Sequence, residues 1–183
     1  MEGEKYRLYS TQDLQAVIDA MARSVYTQID HAQPLWLVGV IRRGAPLADM
    51  IAERLAQLGP ELTIKRLDLK VKRYSDDLHL LHPDTDLQAP ELDSEALRGQ
   101  QVVVVDDVLY QGHSLARVLE FLRAQHADPI RTAVLVDRRV TRLPLRADIA
   151  GLILQLAPDD VVECRVPPFE PVFEIDLFRP RRD

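Results

Sequence analysis

Two adjacent carboxylates, Asp106 and Asp107, follow a run of four valines, Val102 to Val105. Consecutive β-branched residues predict a strand buried on both faces, as in a parallel sheet, with the acidic pair where that strand ends. Carboxylates accept hydrogen bonds from ribose hydroxyls, and their hard oxygens attract Mg²⁺. We therefore predict that Asp106 and Asp107 bind sugar hydroxyls and act as magnesium ligands.

A short glycine loop, Tyr110 to Ser114, comes next and leads into an amphipathic run from Leu115 to about Arg123. The start of a helix offers free N–H groups and the positive end of its dipole to a phosphate. Gly112 allows close approach of the backbone, and Ser114 adds a hydroxyl donor. This pattern predicts a sugar-phosphate site, without a Walker-type lysine or a G-x-G-x-x-G pattern. The alternative is a buried strand followed by a solvated turn and a helix cap.

A second candidate anion site follows the strand predicted from Leu35 to Ile41. The turn Arg42-Arg43-Gly44 links it to a helix from Ala45 to about Leu58, which Gly59-Pro60 ends. Ligands of open α/β sheets bind at the carboxyl ends of the strands, where both candidate sites would lie. The alternative is a pair of surface arginines in a loop.

Further elements must position these residues. Ser10 to about Ile29 has helical periodicity, with Ser10 and Asp13 at capping-box positions. The remaining predicted strands are Leu62 to about Val71, Arg131 to Asp137, and an antiparallel hairpin of Val161 to Val166 with Val172 to Leu177 around Pro167-Pro168. An apolar segment also spans Ile149 to Leu156. The alternation of strands and helices predicts one α/β domain over residues 1–183, with a doubly wound, mostly parallel sheet and a small cap.

The polar segment from Tyr74 to Leu97 shows no clear period. Long irregular insertions in compact domains are typically functional lids or disordered, so we expect a flexible hood at about 74–97. His79 and His82 lack further ligands at convincing spacing, which argues against a metal site there.

The bulk composition describes an ordinary globular chain. Its net charge of −6 argues weakly against nonspecific nucleic-acid or membrane attraction, although a local basic patch is compatible with it. The single Cys164 excludes an internal disulfide, and we predict that it is a strand residue rather than a nucleophile. No signal-peptide pattern or membrane-length apolar run is present, so we expect a cytoplasmic protein without membrane contact.

The acidic pair with its glycine loop resembles the phosphoribosyl-pyrophosphate (PRPP) motif of type I phosphoribosyltransferases. Several segments together resemble the narrower family of bifunctional pyrimidine-operon regulators and uracil phosphoribosyltransferases. They are Leu37 to Gly44, Tyr74 to Leu78, Val104 to Gly112, Ala133 to Arg138 and Leu143 to Asp148.

The resemblance implies a role for each matching position. The catalytic residues would be Arg43, Asp106 and Asp107. The two aspartates would hold the ribose hydroxyls of PRPP and Mg²⁺, while Arg43 would stabilise the leaving pyrophosphate. The residues implied in substrate binding are Arg42 and Gly44 for pyrophosphate, Tyr74, Asp76 and Asp77 in the hood, Gln111, Gly112, His113 and Ser114 for the 5′-phosphate, Tyr110 beside that loop, and Asp137 and Arg138 near the base. A homo-oligomer is also expected.

The nucleobase is less strongly specified. Many purine enzymes of this superfamily carry a carboxylate at the position of Tyr110. The absence of a carboxylate at this position favours uracil as the base and UMP as the product. The family's Gly-Lys stretch at the base is Gly151-Leu152 here, which keeps a purine phosphoribosyltransferase as an alternative.

A third alternative is a nucleotide-sensing RNA-binding regulator with weak or no catalysis. RNA-binding relatives place basic residues on the first helix, where this chain has only Arg23. Arg138, Arg139, Arg142 and Arg146 could form a basic patch instead.

Overall fold

A computed structural model describes residues 3–71, 87–91, 93, 95–157 and 159–181. Its helices are α1 (Thr11–Tyr26), α2 (Gly44–Leu58) and α3 (His113–Ala124). Its strands are β1 (Gly3–Tyr9), β2 (Leu35–Ile41), β3 (Ile64–Val71), β4 (Leu87–Gln88), β5 (Gln101–Leu109), β6 (Ile130–Asp137), β7 (Ile149–Ile153), β8 (Val161–Arg165) and β9 (Glu174–Pro180).

The central sheet has six strands in the order β4-β3-β2-β5-β6-β7. Every neighbouring pair from β3 to β7 is parallel, and only β4 runs antiparallel to its neighbour. Strands β2, β5 and β6 are almost entirely buried, as the apolar runs predict for strands covered on both faces. The predicted α/β class with a mostly parallel, doubly wound sheet is confirmed.

Helices cover both faces of this sheet. Helices α1 and α2 pack on one face, in a core that includes Leu14, Ile51 and Val103. Helix α3 packs on the other face, where Val118 and Leu122 contact the opposite side of the same strands. The helices that follow β2 and β5 therefore lie on opposite faces of the sheet.

Helix α1 begins at the predicted capping box. The Ser10 hydroxyl accepts a hydrogen bond from the Asp13 N–H, and the Asp13 carboxylate accepts the Ser10 N–H at 2.9 Å. The helix ends at Tyr26 rather than near Ile29, because the chain turns at Thr27 to reach β2. Its buried positions recur with the helical period and attach the helix to the sheet.

A second, three-stranded antiparallel sheet has the order β1-β9-β8. The β8–β9 pair is the predicted hairpin. Strand β1 was not predicted, because most of its residues are exposed and its partner is at the far end of the chain. Lys5 of β1 forms ion pairs with Glu163 at 2.6 Å and Asp176 at 3.2 Å, which join all three strands.

Strand β5 extends farther than the sequence indicated. The acidic pair was expected at the strand's end, whereas β5 continues through Asp106 and Asp107 to Leu109. The continuation is possible because Val108 and Leu109 pair with Val136 and Asp137 of β6. The carboxylates are thus part of the sheet itself.

The segment predicted as a hood falls mostly outside the described residues, including Tyr74, Asp76, Asp77, His79 and His82. Its described part is ordered into the fold in a way that the sequence did not predict. Leu87–Gln88 form β4 against β3, and Leu97 is buried in the α3-side core. None of the helices in the described part of the chain is long and apolar enough to cross a membrane.

Candidate active site

The candidate site occupies the crevice between β2 and β5, where the chain connections diverge to opposite faces of the sheet. Pairing between these strands ends at Gly39 and Val105, whereas β5 stays paired with β6 as far as Leu109. The stretch from Asp106 to Leu109 therefore has a sheet neighbour on one side only. Such a switch point is the usual place for a ligand in an open α/β sheet.

The two carboxylates at this crevice are nearly buried, with Asp106 4% and Asp107 8% exposed. One oxygen of Asp106 accepts the Asp107 N–H, and one oxygen of Asp107 accepts the Val108 N–H, both at 2.9 Å. Each side chain is therefore oriented by the backbone that follows it. Carboxylates fixed in this way need little reorganisation to accept hydrogen bonds or bind a cation.

The arginine turn reaches the acidic pair because helix α2 starts directly against β5. A Cβ atom at Gly44 would lie 2.4 Å from the Val105 carbonyl oxygen, so only glycine permits this approach. Nη1 of Arg43 is 3.9 Å from Oδ2 of Asp107. A cis peptide joins Ile41 to Arg42 at the end of β2. The structure thus brings together the two candidate sites predicted separately from the sequence.

The turn after β8 contributes two side chains that the sequence analysis missed. Glu170 binds Arg43, with Oε1 2.5 Å from Nη2 and Oε2 3.3 Å from Nε. The Phe169 ring lies 4.8 Å from the Arg42 guanidinium carbon. Arg43 holds the pKa of the Glu170 carboxyl below its ordinary value, mainly through their hydrogen bond, and the same bond raises the pKa of Arg43. An acidic residue in the Pro-rich turn was the only sequence signal.

The glycine loop forms a cradle at the start of α3. Gly112 is the N-cap in a left-handed conformation with φ 90°, and His113 and Ser114 are the first residues of the helix. A cavity of about 120 Å³ is lined by this loop together with Asp106 and Tyr110. The loop backbone and helix start therefore face a space next to the acidic pair, as an anion site requires.

The loop after β6 closes the other side of this cradle. The Arg142 N–H donates to the Gln111 carbonyl at 3.1 Å. A Cβ at Gly112 would lie 3.6 Å from Leu145 and 3.7 Å from Thr141, so both side chains border the turn. A second cavity, of about 540 Å³, is lined by the same loop together with Asp137.

The residues predicted near the base are held by local contacts. The buried Asp137 carboxylate accepts the Arg139 N–H at 2.8 Å and pairs with the Arg139 side chain at 3.1 Å. Arg138 is only 2% exposed and donates to the carbonyls of Asp160 at 2.9 Å and Ala157 at 3.1 Å. Arg138 thus fixes the connection between β7 and β8.

This burial corrects the proposed basic patch of four arginines. Arg138 cannot contribute to a surface patch, because its guanidinium is directed to internal carbonyls and lies 5.6 Å from the Tyr110 ring centre. Arg139, Arg142 and Arg146 are exposed. A patch at this loop would therefore consist of three arginines rather than four.

Cys164 lies on β8 with 2% exposure, as predicted for a strand residue. Burial raises the pKa of its thiol well above the ordinary value, and the nearby Asp107 carboxylate adds to this effect. A thiol in such surroundings stays protonated and is a poor nucleophile. It belongs to the core that supports the site.

The acidic pair has the oxygen donors that a magnesium ion prefers. Within the described ranges, no three His, Cys, Asp or Glu side chains gather as a metal cage. Mg²⁺ commonly takes one or two carboxylates and fills its other positions with phosphate oxygens and water. Asp106 and Asp107 provide that donor set at the crevice where the anion cradle and arginine turn meet.

Comparison with known proteins identifies the family. The phosphoribosyl transferase domain family matches residues 6–167. The "Bifunctional protein PyrR" of Actinobacillus pleuropneumoniae is 31% identical over 174 residues, covering 94% of this chain and 96% of the relative. The protein of the same name from Deinococcus radiodurans is 30% identical over 182 residues, covering 98% of each chain.

Solved structures agree on the fold. A hypoxanthine phosphoribosyltransferase from Trypanosoma cruzi superposes with a TM-score of 0.78 at 17% identity, covering 98% of this chain and 94% of that one. The Staphylococcus aureus enzyme of that name gives a TM-score of 0.74 at 16% identity, covering 96% and 91%. Together, the crevice geometry, the domain match and the near-full-length relatives show that this chain belongs to the phosphoribosyltransferase family, within the group of bifunctional PyrR proteins.

Proposed function

We propose that the protein transfers the phosphoribosyl group of PRPP to uracil, forming UMP and releasing pyrophosphate. The observation that supports this most strongly is the meeting of three elements in one crevice: the acidic pair, the arginine turn and the start of α3. Arg43 and Asp107 approach within 3.9 Å, although Arg43 follows β2 and Asp107 lies on β5. A sugar phosphate with a pyrophosphate at its reactive carbon is the ligand whose charges match this arrangement.

In this proposal the 5′-phosphate of PRPP binds the cradle from Gln111 to Ser114. The N–H groups at the start of α3 would donate to phosphate oxygens, and the helix dipole would favour their charge. Asp106 and Asp107 would accept hydrogen bonds from the ribose hydroxyls. Because the backbone already orients both carboxylates, the sugar would be positioned by groups that need not move.

The transition state of such a transfer carries positive charge on the ribose carbon and negative charge on the departing pyrophosphate. The guanidinium of Arg43 would stabilise the departing oxygens, with Arg42 and Gly44 completing the turn around them. Mg²⁺, held by Asp106 and Asp107 with substrate oxygens, would supply further neutralisation when bound. The hood, for which Tyr74, Asp76 and Asp77 remain proposed residues, would exclude water from the crevice.

Uracil is the base that the site residues favour. Tyr110 stands where many purine enzymes of this superfamily place a carboxylate, so the chain lacks that acid. The base would enter beside the cavity that Asp137 borders, next to the phosphate cradle. Arg138 would act there by holding the Ala157–Asp160 connection in place.

Calorimetry with Mg²⁺ and PRPP tests this site. The double substitution Asp106→Asn with Asp107→Asn should abolish binding, because it removes both charges that receive the ribose and the cation. Asp19→Asn, which removes an exposed carboxylate from α1, should leave binding unchanged. Equal PRPP affinity in the double variant and the wild type would contradict the assignment.

The base is tested separately, with PRPP and Mg²⁺ offered with uracil, hypoxanthine, guanine or xanthine. Formation of UMP alone supports the proposal. Turnover of a purine with no turnover of uracil would instead establish the alternative of purine salvage.

RNA binding is a second candidate function, favoured by the exposed Arg139, Arg142 and Arg146 and by the relatives' designation as bifunctional. Phosphate contacts dominate RNA affinity. The double variant Arg142→Gln with Arg146→Gln removes two positive charges, so it should weaken RNA binding and reduce the salt dependence of that binding. If the salt dependence of RNA binding is unchanged in this variant, Arg142 and Arg146 do not contact RNA. Homo-oligomerisation and a cytoplasmic location remain predictions.

A further inference from the structure

The arginine assigned to the leaving group already has a carboxylate partner within the chain. Glu170 follows the cis Pro167–Pro168 pair in the turn between β8 and β9. We propose that Glu170 is an internal competitor for pyrophosphate, occupying Arg43 in the free protein and returning to it as pyrophosphate departs. This inference rests on the proposed role of Arg43 in the transfer reaction.

Arg43 presents to Glu170 the side of its guanidinium that carries two parallel N–H donors. Its Nε and Nη2 atoms both bind Glu170, which is the two-point arrangement that arginine also uses for phosphate. On the remaining side, Nη1 faces Asp107 at 3.9 Å. A pyrophosphate that binds Arg43 through Nε and Nη2 must therefore displace Glu170.

Glu170 is placed on Arg43 by its own turn and needs no ligand to bring it there. The Val166 N–H donates to Oε2 of Glu170 at 2.8 Å, and the Phe169 and Glu170 N–H groups both donate to the Val166 carbonyl. Its side chain is 17% exposed, whereas that of Arg43 is 37% exposed. The carboxylate is thus the better fixed partner, and Arg43 is the group with room to move.

The same turn also covers the neighbouring arginine. The Phe169 ring lies over the guanidinium of Arg42 at 4.8 Å. Both arginines of the turn are therefore engaged by consecutive residues of one segment. Because pyrophosphate would have to break the Arg43–Glu170 ion pair, the free-energy cost of that step would weaken its binding. The return of Glu170 to Arg43 would favour release of pyrophosphate.

Calorimetric titration with pyrophosphate and Mg²⁺ tests the competition. The variant Glu170→Gln keeps an oxygen that can accept the Val166 N–H but removes the charge that holds Arg43. We expect its dissociation constant for pyrophosphate to fall roughly threefold to tenfold, the range for loss of a partly exposed, two-point ion pair. Glu163→Gln, which removes a carboxylate from β8 on the same sheet, should leave the constant unchanged.

The Arg43→Ala background separates this inference from the site assignment. Arg43→Ala should weaken pyrophosphate binding, and adding Glu170→Gln to it should produce no further change. If Arg43→Ala weakens binding but Glu170→Gln alone does not tighten it, the competition is refuted while the site assignment survives. If Arg43→Ala has no effect, both are refuted. Thermal unfolding of each variant verifies that the chain is folded.

Discussion

The substitution Gly44→Ala tests how closely the start of α2 must approach β5. The added methyl group would lie 2.4 Å from the Val105 carbonyl oxygen and 3.2 Å from the Asp106 Cα. Both are backbone atoms of a central strand that cannot rotate away. Since ordinary contacts begin near ~3.4 Å, the helix start must retreat by about 1 Å.

This displacement of the helix should lower kcat/KM strongly and the free energy of unfolding only modestly. Overpacking of this kind costs about 1–3 kcal/mol of unfolding free energy, and the better helix propensity of alanine offsets up to about 1 kcal/mol. Arg43 directly precedes Gly44, so the shift separates its guanidinium from Asp107. A displacement of about 1 Å at a reacting centre can lower the rate by roughly 100-fold, which is the loss of kcat/KM that we expect.

The matched control is Gly99→Ala. Gly99 has φ +63° and no neighbour within 4 Å of an added Cβ, so this variant introduces backbone strain without a clash. The free energy of unfolding of this variant, measured with urea, should be lower by about 1 kcal/mol, and its kcat/KM should equal that of the wild type. If Gly44→Ala also keeps wild-type kcat/KM, the close contact between α2 and β5 does not set the geometry of the site.

Two further predictions concern Arg43 and Cys164. Arg43→Ala should reduce kcat more than it reduces UMP affinity measured by calorimetry, because its proposed partner is the leaving group; equal losses would make it a general structural residue. Burial raises the folded-state pKa of Cys164, so its stabilising contribution is complete below the unfolded thiol pKa of about 8.5 and is lost as pH rises above it. The urea midpoint should therefore fall more between pH 8 and pH 10 in the wild type than in Cys164→Ala, and parallel changes would contradict the buried-thiol account.

The elements that carry the site were predictable because their signals are local. The valine run before Asp106 marks a buried strand, and the Ser10–Asp13 capping box marks the start of α1. The extension of β5 to Leu109 was not predictable in the same way, since it depends on pairing with β6. The hydrophobic period and the composition of a segment indicate whether it is buried, but they do not indicate where its partner strand ends.

The contacts missed at the site share a different cause. Glu170 and Arg43 are separated by 127 positions, and neither residue type indicates the other. Arg138 looked like a surface cation from its sequence neighbours, but it is buried, and its two Nη atoms donate to carbonyls 22 and 19 positions away. Sequence patterns identified the charged residues, whereas only the tertiary fold determined which of them are committed to one another.

The order of strands has a consequence for how such a protein can diversify. The groups proposed to bind PRPP come from β2 and β5, whereas the loop after β6 and the connection after β7 lie toward one edge of the sheet. Thr141 and Leu145 of the loop after β6 also border the cradle at Gly112, whereas the connection after β7 follows the edge strand of the sheet, apart from the turn at Gly44. In the proposed function, changes in the connection after β7 would therefore alter the acceptor while the donor site is retained, and directed evolution of base preference would begin there.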